Sequence, residues 1–121
     1  MRVSYVIVFV SDMSRSVAFY RDVLELPLRF ETTHWTEFNT LGATLALHLE
    51  VPDPERSNPA YMVAGTSRPG LGVADLAAFH QRMMDRQVPC VQEPKELFGS
   101  RIAQYLDPDG LVISVSEERR Q

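Results

Sequence analysis

The chain has 121 residues, 45% of them hydrophobic and 23% charged, enough for one small domain with a real core. Its net charge is −4 and no basic run exceeds Arg119–Arg120, so neither nucleic acid nor an anionic membrane surface is an expected partner. Cys90 is alone, and the longest unbroken apolar run is Val6–Val10; an internal disulfide, a cysteine metal cluster, a membrane span and a signal-peptide core are all unexpected, and a cytoplasmic location is expected.

Residues 3–10, VSYVIVFV, are β-branched and aromatic and predict a strand. Asp12–Leu24 predicts a helix, with Asp12 and Ser14 as candidate caps and Val17, Tyr20 and Leu24 at helical spacing. Three short strands follow at 26–31, 35–40 and 43–50, the last two joined through Leu41–Gly42. Three prolines and three charges at 51–60 mark a linker, taken to extend to about residue 66. The order then repeats. A Gly-interrupted strand at 68–73 leads to a helix over Asp75–Gln87, capped by Asp75, with Leu76, Phe79 and Met83 on one face. Strands at 88–93, 101–107 and 111–118 complete it, with Asp107-Pro108-Asp109-Gly110 as a hairpin turn.

The chain thus reads as an internal repeat of about sixty residues, each copy strand–helix–three strands. AFYR at 18–21 echoes AFHQ at 78–81, which sets His80 against Tyr20, and the first helix looks longer at its start. The predicted class is α+β: two βαβββ modules, about 1–55 and 67–121, within a single domain over 1–121. Alternation along ATLALHLE puts Leu45, Leu47 and Leu49 on one face and Thr44, Ala46, His48 and Glu50 on the other. In LVISVSEE it separates Leu111, Ile113 and Val115 from Val112, Ser114 and Ser116. Each strand offers an apolar face to a helix. Two twisted four-stranded units side by side would form a cup, helices on the convex side, with the mixed faces lining a ligand site.

VIVFVSDMSRSVAFYRDVLELPLRF resembles the opening of vicinal-oxygen-chelate proteins, the superfamily of glyoxalase I, bleomycin-resistance proteins and extradiol dioxygenases. YLDPDGLVISV resembles its closing hairpin. The resemblance spans the whole chain and implies paired βαβββ modules, a cup-shaped sheet and a homodimer. It also implies four metal-ligand positions, which fall on Tyr5, Ala46, Pro69 and Ser114, with His48 two residues beyond Ala46 on the same face. Ala and Pro side chains offer no ligand, a neutral Ser hydroxyl is weak, and an unperturbed phenol titrates near about pH 10. No family-type metal or other cofactor is therefore expected. The alternative is a divalent cation held unconventionally by His48 and Glu50.

The candidate ligand-binding residues are Tyr5, Phe9, Trp35, Glu37, His48, Arg101 and Ser114. Tyr5 and Phe9 share a strand face. If Phe38 faces the helices, Trp35, Glu37 and Asn39 face the cup, and pairing across Leu41–Gly42 sets Trp35 opposite His48. Trp is a flat platform for a planar ligand, and Arg101 is a candidate partner for an anionic group. Each also has a plain packing or surface reading; for His34 and His80 that reading is preferred. The sequence lacks a nucleophile elbow, a phosphate loop and paired catalytic carboxylates. The expected function is capture of a small, partly planar organic molecule in a dimeric cup. Two alternatives stay open: a metal-dependent lyase or isomerase resembling lactoylglutathione lyase, with His48, Glu37 or Glu50 as base or ligand, and a non-catalytic dimeric association domain.

Overall fold

The computed structural model describes residues 3–50, 67–97 and 99–118; the expected linker lies outside the described residues. The chain divides into two compact units, Met1–Thr66 and Ser67–Gln121. In unit one, β1 (Tyr5–Val10) leads to α1 (Met13–Ala18), a π-helical turn (Phe19–Val23), β2 (Leu28–Glu31), β3 (Trp35–Phe38) and β4 (Thr44–Leu49). In unit two, β5 (Gly70–Val73) leads to α2 (Leu76–Asp85), β6 (Cys90–Leu97), β7 (Ser100–Leu106) and β8 (Val112–Glu117). The sheet orders are β1-β4-β3-β2 and β5-β8-β7-β6. The first strand of each unit pairs parallel to the last, and the other pairings are antiparallel. This is an α+β fold of two βαβββ modules.

Alternation decides which strand face is buried. Val8, Val10, Leu45, Leu47 and Phe38 are buried with Val17, Tyr20 and Leu24, and the Tyr20 and Phe38 ring centroids lie 6.0 Å apart. Leu76, Phe79 and Met83 of α2 are buried with Ala103, Tyr105, Ile113 and Val115. Each large apolar side chain removed from water contributes about 1.5–3 kcal/mol. The closing turn forms as its sequence predicts. Gly110 N–H donates to the Asp107 carbonyl, Asp107 Oδ1 accepts from the Asp109 and Leu111 N–H groups, and Gly110 takes φ +82°.

Both helical segments start on an aspartate. Asp12 Oδ1 accepts from Arg15 N–H and Asp75 Oδ1 from Ala78 N–H, each at 3.0 Å, so a donor at each helix start that has no intrahelical partner is satisfied. Both segments end on a left-handed residue, Glu25 (φ 62°) and Gln87 (φ 59°). Asp12 to Glu25 is thirteen steps and Asp75 to Gln87 twelve. The first helix is therefore not longer at its start. Its one extra residue is taken up by the π-helical turn, where Leu24 N–H donates to the Phe19 carbonyl at 3.0 Å. Counted from the caps, buried Tyr20 corresponds to buried Met83 and His80 to Val17, which corrects the alignment of AFYR with AFHQ. His80 instead places Nδ1 2.8 Å from the Tyr105 hydroxyl.

Candidate functional site

The face of the unit-one sheet opposite Leu45 and Leu47 collects most of the candidate residues. β4 pairs with β3 so that Trp35 lies opposite His48 and Glu37 opposite Ala46, and with β1 so that Phe9 lies beside His48 and Ile7 beside Ala46. With Leu45 and Leu47 turned inward, Tyr5, Ile7, Phe9, Trp35, Glu37 and His48 share the opposite face. β1 is an edge strand, and its three side chains on this face are largely uncovered: Tyr5 is 52%, Ile7 45% and Phe9 65% exposed.

The rings form a continuous row. Tyr5 and Trp35 centroids are 6.3 Å apart at 61°, Trp35 and His48 5.9 Å apart at 87°, and His48 and Phe9 5.5 Å apart at 52°. These are the separations and tilts that aromatic quadrupoles favour. Trp35 is fixed at both ends. Its backbone N–H donates to Thr32 Oγ1 and its carbonyl accepts from that hydroxyl and from Thr32 N–H. Its indole Nε1–H donates to Glu37 Oε2 at 2.8 Å. Glu37 is 8% exposed, and its other oxygen accepts from Arg29 Nη1 at 3.1 Å. Arg29 Nε in turn donates to Asn39 Oδ1 at 2.8 Å. Glu37 is thus a hydrogen-bonded support for the indole, with both oxygens engaged, rather than an unattached base.

His48 is half-buried, and its Nδ1 lies 2.6 Å from the Leu49 carbonyl oxygen. A carbonyl only accepts, so Nδ1 carries the proton and the neutral ring keeps its lone pair on Nε2. Its polar partner is that carbonyl, not Glu50, which is exposed beyond the end of β4. Arg29 was invisible to the sequence reading. β2 carries a register shift between Leu28 and Phe30, and a bulge breaks the alternation that would have placed Arg29 beside Glu37. His34 is exposed in the loop before β3, as expected.

Ser114 and Arg101 belong to unit two and do not share a face there. Ser114 pairs with Gln104 and Gly70, and Ser116 with Ile102 and Gly72. Arg101 has the parity of Ala103 and Tyr105, which pair with buried Val115 and Ile113. The half-buried Arg101 therefore has the strand parity of the helix-facing residues at the start of β7, opposite to that of Ser114. The face carrying Ser114 is bare by comparison. A Cβ on Gly70 would meet nothing within 4 Å, whereas one on Gly72 would come within 2.6 Å of Glu118 Oε1.

The metal positions implied by the sequence resemblance can be checked by register. Glu50 N–H donates to the Val10 carbonyl, and Glu118 N–H does the same to Val73. Counting back from these matched bonds, Ser114 corresponds to Ala46, as expected. Tyr5, however, corresponds to Arg68 rather than to Pro69, which is buried. Tyr5, Ala46, Arg68 and Ser114 include no carboxylate and no imidazole, and a guanidinium has no lone pair to give. These residues do not fit a divalent cation. Among the described residues, no three His, Cys, Asp or Glu side chains are placed to hold a metal ion, so His48 and Glu50 lack a third such ligand there.

A separate open hollow of about 530 Å³ lies at Asp12, Met13, Ser14, Glu31, Thr32, Thr33 and Leu49. Its lining mixes polar and apolar groups and includes none of the aromatic row. No described helix is long and apolar enough to cross a membrane.

No curated protein matches the chain. Solved structures do, over nearly the full length. A protein of unknown function from Agrobacterium tumefaciens str. C58 is 29% identical, with TM-score 0.76, covering 98% of this chain and 95% of its own. Lactoylglutathione lyase from Agrobacterium tumefaciens is 19% identical, with TM-score 0.75, covering 95% and 92%. A glyoxalase/bleomycin resistance protein/dioxygenase from Alicyclobacillus acidocaldarius is 14% identical, with TM-score 0.75, covering 98% and 92%. At such identities the last two speak for the fold alone. The sequence profile of one superfamily matches residues 2–115. With its paired βαβββ units and that match, the chain belongs to the Glyoxalase/Bleomycin resistance protein/Dioxygenase superfamily.

Proposed function

We propose that the protein captures a small planar aromatic molecule on the open face of unit one, without the superfamily's metal, as a cytoplasmic homodimer. The observation that carries this reading is the row Tyr5–Trp35–His48–Phe9, with the indole fixed through Glu37 and Arg29. A partly exposed aromatic surface whose central ring is already oriented loses little freedom on binding. Stacking and edge contacts then provide affinity without chemistry. The ligand positions of the metal enzymes carry donors unsuited to a cation, which favours capture over metal-dependent isomerisation. The unpaired edge of β1 is what a second copy would cover.

Thermal unfolding against a panel of planar aromatic compounds tests the reading. A ligand at about 100 times its Kd should stabilise the protein by about 2.7 kcal/mol. That stabilisation should shrink in Tyr5→Ala and Phe9→Ala, whose exposed side chains the fold does not need. No shift with any compound would favour a domain used for association alone.

A further inference from the structure

The polar atoms beside the aromatic row define what the captured molecule must bring. This inference rests on the reading just given and narrows it. Trp35 Nε1–H is already given to Glu37. Both Glu37 oxygens already accept, one from the indole and one from Arg29. His48 Nδ1–H is given to the Leu49 carbonyl. What remains along the row is the His48 Nε2 lone pair, which has no partner among the described residues, and the Tyr5 hydroxyl, which can both give and accept. The row therefore offers an acceptor at its centre, and its indole donor is spent. Nε2 belongs to a ring in contact with both Trp35 and Phe9, so a molecule lying against those rings comes within reach of it. A ligand with only acceptors there would leave Nε2 facing a lone pair, at the cost of desolvating both.

We infer that the ligand class is a planar aromatic carrying a hydrogen-bond donor, a phenolic O–H or a ring N–H, which it gives to His48 Nε2. Ring area provides the affinity and His48 selects among flat molecules of equal area. The selection depends on Nδ1 staying bound to the Leu49 carbonyl, because the opposite tautomer would turn Nε2 into a donor.

Calorimetric titration with 2-naphthol and 2-methoxynaphthalene tests this at about pH 8, above the ordinary imidazole range. The pair shares one ring system and differs in the donor. The wild type should bind 2-naphthol about five- to tenfold more tightly, the scale of one net hydrogen bond. His48→Phe keeps a ring between Trp35 and Phe9 but has no acceptor, and should bind both compounds with equal affinity. Equal binding of the pair by the wild type would overturn the donor preference while leaving aromatic capture standing. So would a preference that survives in His48→Phe. Failure of both compounds to bind the wild type would overturn the donor preference and aromatic capture together. The wild-type comparison decides the matter even if the variant does not fold.

Discussion

Trp35 joins an aromatic row through its ring and a polar chain through its N–H. Its half-buried ring meets Tyr5 and His48 edge to face, while its single N–H is tied to a buried carboxylate. Trp35→Phe should leave the fold intact and weaken planar ligands by about 1 kcal/mol, the scale of an aromatic contact; calorimetry checks this. Trp35 is also the only tryptophan, so emission reports on it alone. Glu37→Ala should free the indole and lower its fluorescence anisotropy, and an unchanged anisotropy would show that the Arg29–Glu37 chain does not hold it. The aromatic members of the row were legible in the sequence because β1, β3 and β4 alternate regularly. Arg29 was not, because the bulge beside it hides its face; the face of Arg101 becomes readable only once β7 is registered against β8 through Ala103 and Tyr105. In unit two, burial raises the pKa of the Tyr105 hydroxyl above its ordinary value, with a smaller contribution from Cys90. A raised folded-state pKa favours the protonated form, so this stability is full below about pH 10, where an unfolded tyrosine titrates, and is lost above it. Alkaline unfolding curves should show that loss, and Tyr105→Phe should remove its contribution.

At the scale of elements, the two helical segments differ by one residue, absorbed in a single place. The Leu24 N–H to Phe19 carbonyl bond spans five residues. Deleting exposed Asp22 would make it span four, an ordinary α-helical bond. The deletion variant should fold with its melting temperature within about 5 °C of the wild type. A variant that fails to fold would show that the π-helical turn sets the packing of Leu24 and Leu26. Asp75→Ala should cost about 1 kcal/mol in chemical denaturation through loss of the cap, softened by Glu117 Oε2, which accepts from the neighbouring Leu76 N–H. Aspartate followed by helical spacing made both caps legible. The extra residue was not, because Phe19–Val23 carries no proline or glycine to mark a change of winding.

At the scale of the whole molecule, one module repeats with different decoration. Tyr5, Ile7, Phe9, Trp35, Glu37 and His48 of unit one correspond by register to Arg68, Gly70, Gly72, Ile102, Gln104 and Ser116 of unit two, so the second copy carries no aromatic ring at these positions. The repeat was readable because its strand–helix–three-strand order occurs twice, and the register then identified Arg68 as the counterpart of Tyr5. As a homodimer the protein should sediment at twice its monomer mass at micromolar concentration; a monomer alone would contradict that assignment. The central claim is aromatic capture that needs no metal. Its most direct test is a titration of Trp35 fluorescence with a planar aromatic that stabilises the protein, before and after dialysis against EDTA, with metal content measured in both samples. Saturable quenching with the same Kd in the two samples, and no stoichiometric metal in either, is the predicted result. Quenching that disappears with a stoichiometric metal, and returns when that metal is restored, would contradict it.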